Sequence, residues 1–291
     1  MKTELVIISS ERSEYEKQIA KAAEIIKNGG LVVFPTETVY GLGADATNSD
    51  AAHKIYEAKG RPSDNPLIIH IAAPHDAERY AYTNDVYYKL AEHFMPGPLT
   101  VILRSRDTIP KATRGGLDTV AVRCPEAVIA RDLIDMAEVA IAAPSANLSG
   151  SPSPTNANHV FDDMNGRVDM ILDGGECDFG LESTIVKIED GGTLTLLRPG
   201  KITVEDILGI GLTVEIADAV KNKLGEGEKV LSPGMKYRHY APKAPLVLLD
   251  GDAKSAVSYI KDNAQDNTAV ICYEEDLLKD GCCPSMEAWN F

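Results

Sequence analysis

The sequence holds no uninterrupted apolar run of the ~20 residues that a bilayer-spanning helix requires, so no membrane segment is expected. Its first ten residues contain too short an apolar stretch, and no clear cleavage site, for a secretory leader. Five cysteines (Cys124, Cys177, Cys272, Cys282, Cys283) form no CxxC pair and are odd in number. That pattern argues against a disulfide scaffold or a zinc site and for reduced thiols, hence a cytoplasmic location. The six histidines show no metal-ligand spacing, so no metal site is expected, and nothing resembles the local signature of a Ser/His/Asp triad. Positive charge is scarce: Lys and Arg number 29 against 44 Asp and Glu, leaving a net charge of −15. Such a chain is unsuited to coating nucleic acid without regard to sequence, which needs many phosphate contacts, although a local basic site stays open.

At 291 residues, 44% hydrophobic and 25% charged, the chain suits one large soluble domain and a small one. Ser13 and Glu16 form a plausible capping box before Ile19, Ala22, Ala23 and Ile26 at helical spacing, and Gly29-Gly30 stops that helix. Ser49 caps a second helix running to Lys59. Apolar strands are expected at 31–34, 67–71, 100–103, 119–123, 140–143, 169–172, 184–188 and 194–197. Helical patterns between them imply an α/β fold with a mixed parallel and antiparallel sheet, ending near residue 213. Residues 214–243 read as a linker, although Ser232–Pro242 is too aromatic and basic for a passive one. Residues 244–291 read as a partial α/β segment: strands at 246–249 and 268–272 around a helix from about Ala253 to Asn263. The chain stops too soon for this to become an ordinary independent domain.

Three blocks carry the chemistry. The first, Phe34-Pro-Thr-Glu-Thr-Val-Tyr-Gly-Leu-Gly-Ala44, sets small residues after an apolar strand. Its Gly41-Leu-Gly-Ala-Asp-Ala46 matches a permissive dinucleotide pattern, but the next helix starts too late, so a tight turn or the backbone wall of a pocket is the better reading. The second, Lys59-Gly-Arg-Pro62, is either a basic helix C-terminus complementing the dipole or a pair of cations for a multiply charged anion. The third, Ala143-Pro-Ser-Ala-Asn-Leu-Ser-Gly150, is either an ordinary turn or a set of neutral donors with close backbone approach. Arg123 and Arg198 end strand patterns, where ion pairs are common but α/β ligand sites also collect. His70 lies inside an apolar run, as a satisfied core histidine or as a ligand contact.

Taken together these blocks, with Pro96-Gly-Pro-Leu-Thr100, Gly180-Leu-Glu-Ser-Thr184, Leu197-Arg-Pro-Gly200 and Ser232-Pro-Gly-Met-Lys-Tyr-Arg-His-Tyr240 in the same order, resemble the threonylcarbamoyl-AMP synthase family in its long form. The resemblance covers about Ile19 to Pro242. It implies a YrdC-like twisted sheet with flanking helices, a linker and a partial, Rossmann-like C-terminal segment that is shortened here. It also implies a nucleotidyltransferase that joins L-threonine, bicarbonate or CO2, and ATP, with Mg2+ carried mainly by the ATP. A separate transferase complex would then modify the tRNA adenosine 3′ of the anticodon. By the resemblance Lys59, Arg61, Ser145 and Asn147 are the catalytic signature. Thr38, His70, Arg123, Ala143 and Ser183 surround threonine; Arg61, Asn65, Thr119, Ser145, Ser153, Arg198 and Tyr237 surround ATP. The linker, with Ser232–Tyr240, would cross the pocket mouth. Two other readings stand beside this one. One is a double-stranded RNA-binding module using Arg104, Arg106, Lys111 and Arg114. The other, a hydrogenase-maturation carbamoyltransferase, lacks its zinc-finger cysteine pairs and acylphosphatase-like domain here.

Overall fold

The computed structural model describes residues 2–221, 244–265 and 267–271, and the chain divides into two compact units, Met1–Ala241 and Pro242–Phe291. The first unit begins with β1 (Glu4–Ile7) and α1 (Arg12–Lys27). Ile19, Ala22, Ala23 and Ile26 are buried along α1, the apolar stripe expected of them. The cap differs from expectation: Glu11, not Ser13, accepts hydrogen bonds from the amides of Ser13 and Glu14. A carboxylate there takes two orphan amides and complements the dipole, so the helix starts one turn-fraction earlier. Likewise α2 (Ser49–Lys59) is capped by Asn48 rather than Ser49, and ends on Gly60 in the left-handed region at φ 61°.

The other strands are β2 (Val32–Phe34), β3 (Gly41–Asp45), β4 (Ile68–His70), β5 (Ala81–Tyr82), β6 (Leu99–Ser105), β7 (Thr119–Arg123), β8 (Ile141–Ala142), β9 (Met170–Asp173), β10 (Thr184–Ile188), β11 (Leu194–Arg198) and β12 (Val214–Ile216). They join in one sheet in the order β1-β9-β2-β3-β8-β4-β7-β6-β10-β11-β12, with β5 also on β6. Pairing is mixed: β4 runs parallel to β7 and antiparallel to β8, and β6 runs antiparallel to β7 but parallel to β10. The helices α3 (Asp85–Phe94), α4 (Val128–Ala137), α5 (Ala157–Met164), α6 (Val204–Gly209) and α7 (Asp218–Lys221) accompany it.

Both faces of the sheet are covered from β9 through β2 and β3 to β8, whereas the edge strand β1 leaves Leu5 and Ile7 exposed. Val32 and Phe34 pack with α1 and α4, whereas Val33 faces the opposite cluster with Leu42 and Ile55. That double burial is why these strands read as unbroken apolar runs rather than alternating ones. β12 lies past residue 213, so the sheet continues beyond the expected end of the first domain.

In the second unit, α8 (Ala253–Asn263) forms where the spacing predicts it, capped by Asp252. The flanking strands do not form. Leu246, Val247 and Leu248 are exposed without strand structure, and residues 268–271 likewise form no strand, with Val270 half-buried and the others exposed. An apolar run becomes a strand only where a neighbour takes its backbone groups, and the described residues of this unit supply none. Cys272, and the linker segment with Tyr237, lie outside the described residues.

Candidate active site

Strand register gathers residues that are far apart in sequence. His70 pairs with Arg123, Arg123 with Thr100, Thr100 with Ile185, and Ile185 with Arg198, so one line crosses β4, β7, β6, β10 and β11. Residues in register point to the same face. Two positions along, Ile68, Ala121 and Ile102 form a small apolar cluster with Ile185 and Leu197. A polar row therefore borders an apolar floor.

The wall opposite is backbone. The Gly41-Leu-Gly43 segment is strand β3 rather than a tight turn, and Gly41 lines the cavity as the backbone wall, the other expectation; Gly41 also forms an isolated bridge with Ser145. The Leu42 amide donates to the Pro144 carbonyl (2.8 Å) and the Ala146 amide to the Tyr40 carbonyl (2.8 Å). Residues 143–147 thus lie flat along residues 40–42. From the far side the buried Lys59 ammonium holds the same loop, donating to the carbonyls of Ser145 and Asn147, the latter at 2.5 Å. Burial, with Arg61 nearby, pushes the Lys59 ammonium well below the usual lysine range.

A cavity opens between these walls. Of the residues singled out from sequence, Thr38, His70, Arg123, Ala143 and Ser183 line it, together with Arg61, Ser145, Asn147, Ser153 and Arg198. Lys59 does not: it sits behind the loop it holds. Asn65 is also outside the lining, buried, with its carbonyl Oδ1 unpartnered. Thr119 begins β7 away from the cavity.

The polar groups are tightly held. Arg123 donates through Nη2 to Glu37 Oε1 at 2.6 Å, an ion pair whose side chains are 5% and 1% exposed. Glu37 also accepts from the Glu126 amide at 3.1 Å. Arg123 Nε and His70 Nδ1 remain buried without a hydrogen-bond partner. Burial, reinforced by the charge of Arg123, lowers His70 to about 3, so its imidazole is neutral at physiological pH. Arg198 donates to the Ser183 hydroxyl (3.0 Å) and carbonyl (3.0 Å), and that hydroxyl shares a 2.7 Å hydrogen bond with Thr100. Arg61 donates to the carbonyls of Asn65 (3.3 Å) and Pro66 (3.0 Å), fixing the loop after α2.

Sequence reasoning missed Glu37 and Glu182. Both stood inside the quoted blocks, but an isolated glutamate in a loop carries no sign of burial. Glu182 lines the cavity and accepts a hydrogen bond from the Ser153 hydroxyl. Among the described residues no three His, Cys, Asp or Glu side chains gather as a metal site. Arg114, expected on a basic surface, is 8% exposed, because its segment packs under the loop at residues 64–66. The cavity offers guanidinium groups, a neutral imidazole and hydroxyls. With the Glu182 carboxylate beside them, these groups suit a ligand bearing anionic groups, and no activated serine or cysteine nucleophile stands among them.

Comparison with known proteins agrees with this geometry. The family model Sua5_yciO_yrdC, whose description is "Telomere recombination", matches residues 24–200. A second, "Threonylcarbamoyl-AMP synthase, C-terminal domain", matches residues 202–287. The threonylcarbamoyl-AMP synthase of Pyrococcus abyssi is 48% identical over 248 residues, 85% of this chain and 72% of the relative. That of Bacillus subtilis is 45% identical over 274 residues, 93% and 78% of the two chains. The crystal structure of P. abyssi Sua5 complexed with L-threonine superposes with a TM-score of 0.83 at 45% identity, covering 90% of this chain and 75% of that one. The chain belongs to the threonylcarbamoyl-AMP synthase family.

Proposed function

We propose that the cavity joins L-threonine, CO2 or bicarbonate, and ATP into threonylcarbamoyl-adenylate, releasing pyrophosphate, and that a separate transferase complex carries the product to tRNA. The observation that carries this reading is the buried pair His70 and Arg123, each keeping one nitrogen unpartnered, on the lining of a cavity shared with Arg61 and Arg198.

In this reading Arg123 holds the threonine carboxylate, with His70, Thr38, Ala143 and Ser183 around the rest of the amino acid. Arg61, Ser145, Ser153 and Arg198, which line the cavity, take ATP; Asn65 and Thr119, outside that lining, and Tyr237 would meet only parts of ATP that extend beyond it. Lys59 acts from behind, keeping the Ser145–Asn147 loop against β3. A carbamate oxygen forms the new bond to the α-phosphorus while the bond to the β-phosphate breaks and pyrophosphate leaves. Carbamates are short-lived, so alignment beside ATP supplies proximity, and the guanidinium groups stabilise charge on the phosphates. Mg2+ enters with ATP as part of the substrate. Cys124 and Cys177 carry free thiols, which supports a reducing, cytoplasmic setting.

The alternative, duplex RNA binding, is favoured by Arg104 and Arg106, whose guanidinium carbons lie 5.2 and 4.4 Å from the half-exposed Tyr82 ring. One assay separates the two. Purified protein with ATP, Mg2+, threonine and bicarbonate is expected to yield threonylcarbamoyl-adenylate by mass spectrometry, with equal pyrophosphate. The product should vanish without threonine and fall at least ~100-fold in Arg61→Ala. Folded protein that makes no adenylate but binds duplex RNA with steep salt dependence would decide for the alternative.

A further inference from the structure

We propose that Glu182 is the proton acceptor that frees the threonine amine for carbamate formation. The inference rests on the synthase reading above and adds a catalytic residue to it.

Among the described residues Glu182 is the single carboxylate lining the cavity; the other ionisable groups there are Arg61, His70, Arg123, Arg198 and Tyr40, and the Tyr40 phenol, kept protonated by burial, donates to the Gly175 carbonyl. A carboxylate among guanidinium groups that bind ATP and a substrate carboxylate would repel both substrates unless it faces a cation. The organic cation among the substrates is the threonine ammonium. That ammonium has no lone pair until it loses a proton, and it must lose one before it can attack carbon.

The other candidates for that task are excluded by their surroundings. The His70 imidazole is buried beside Arg123 and is too weak a base. Glu37 is committed to Arg123 and to the Glu126 amide. Lys59 lies behind the loop, bonded to carbonyls. Serine and threonine hydroxyls are not bases at neutral pH.

Glu182 is also well placed. Ser153, on the side assigned to ATP, donates to its carboxylate. Its neighbour Ser183, on the side assigned to threonine, is held by Thr100 and Arg198. Its backbone has little freedom, because a Cβ on Gly200 would stand 2.6 Å from the Glu182 carbonyl and from the Thr184 amide. Glu182 therefore stands where the two substrates meet. With CO2 as the carbon source the step balances simply. A proton passes from the ammonium to the carboxylate, and the amine nitrogen forms its bond to the CO2 carbon as a C–O π pair moves onto oxygen. After Glu182 has returned its proton to solvent, it takes the second proton from nitrogen, leaving the carbamate.

The test is single-turnover formation of threonylcarbamoyl-adenylate between pH 6.5 and 9.5 by wild type, Glu182→Gln and Glu182→Asp, with ATP binding measured on each. General-base loss predicts Glu182→Gln to be ~100- to 10,000-fold slower at pH 7. Its deficit relative to wild type should shrink by about tenfold per pH unit, as solvent takes over deprotonation of an amine that is still mostly protonated. ATP affinity should stay within about threefold of wild type, and Glu182→Asp should recover part of the rate. Glu182→Gln within threefold of wild type at every pH overturns the proposal. So does a defect repaired by added Mg2+ rather than by pH, which makes Glu182 a metal ligand, or a loss of ATP binding in both variants. Wild type that makes no adenylate removes the synthase reading itself; active wild type with an unimpaired Gln variant removes this inference alone.

Discussion

His70 shows what a single buried titratable group does to a protein of this kind. It is 3% exposed, stacks edge-on against Phe34 at 6.2 Å, and keeps Nδ1 unpartnered. In the unfolded chain it takes a proton below about pH 6.5, whereas in the native protein it does not do so until about 3. Between those values the unfolded state binds more protons, so stability is greatest above the upper value and falls as pH drops through the window. The limiting slope is about 1.4 kcal/mol per pH unit. Urea unfolding from pH 7.5 to 4.5 should therefore show a loss that is shallower in His70→Asn, which has nothing to titrate there. Parallel curves for the two proteins would mean that His70 is protonated in the fold. The sequence exposes this residue because a histidine inside Leu67–Ile71 breaks an apolar run. It gives no such sign for Glu37, since the partner that buries it, Arg123, is 86 residues away.

At the level of elements, most strands and the first two helices are legible because the inner strands of the sheet are covered on both faces and read as continuous apolar runs, unlike the exposed end strands β1 and β12. β3 is the instructive exception. Gly41-Leu-Gly43 reads locally as a tight turn or the backbone wall of a pocket, not as a strand, since glycine weakens a strand; Gly41 does line the cavity, but from within β3. Its place in the sheet comes from its neighbours: a Cβ on Gly43 would lie 2.6 Å from the Phe34 ring and 2.8 Å from Ile141. Glycine is there because Phe34 lies across that strand, and local propensity does not report a ring folded over from β2. Gly43→Ala should cost about 1–3 kcal/mol through overpacking, read as a lower thermal midpoint. The double variant Gly43→Ala with Phe34→Leu, which makes room for the methyl, should lose less than the sum of the single changes. Additive losses would show that the ring is not what excludes a side chain. The caps were misread for a related reason. Ser13 and Ser49 are good cap residues, but Glu11 and Asn48 precede them and reach the same amides first.

For the whole molecule, the point at issue is where the catalytic sheet stops. The apolar strand pattern runs out near residue 213, yet β12 pairs with β11 through Leu194–Val214, Thr195–Glu215 and Leu196–Ile216, and the Ala217 amide donates to the Leu196 carbonyl at 3.0 Å. A three-residue edge strand leaves almost no trace in a hydrophobicity pattern, because its worth lies in covering β11. Cutting the chain after residue 213 would bare one edge of β11 and open Leu194 and Leu196, now 0% and 5% exposed. Re-exposing one to two such side chains costs about 2–4 kcal/mol, or roughly 5–12 °C in a unit of this size. Two shortened forms make the comparison, one ending at residue 213 and one at residue 221. The longer should melt higher by that amount, and both should unfold as single transitions if the sheet is one cooperative body. Equal midpoints would place the boundary at 213 and make β12 an ornament of the sheet. Adenylate synthesis by the longer form then asks a separate question: how much of the reaction the cavity walls support without residues 222–291. Since the cavity's cations and Glu182 all lie before residue 200, it should still bind ATP, though more weakly for want of Tyr237. A weakened ability to retain the adenylate against water would trace to the missing residues, not to the walls.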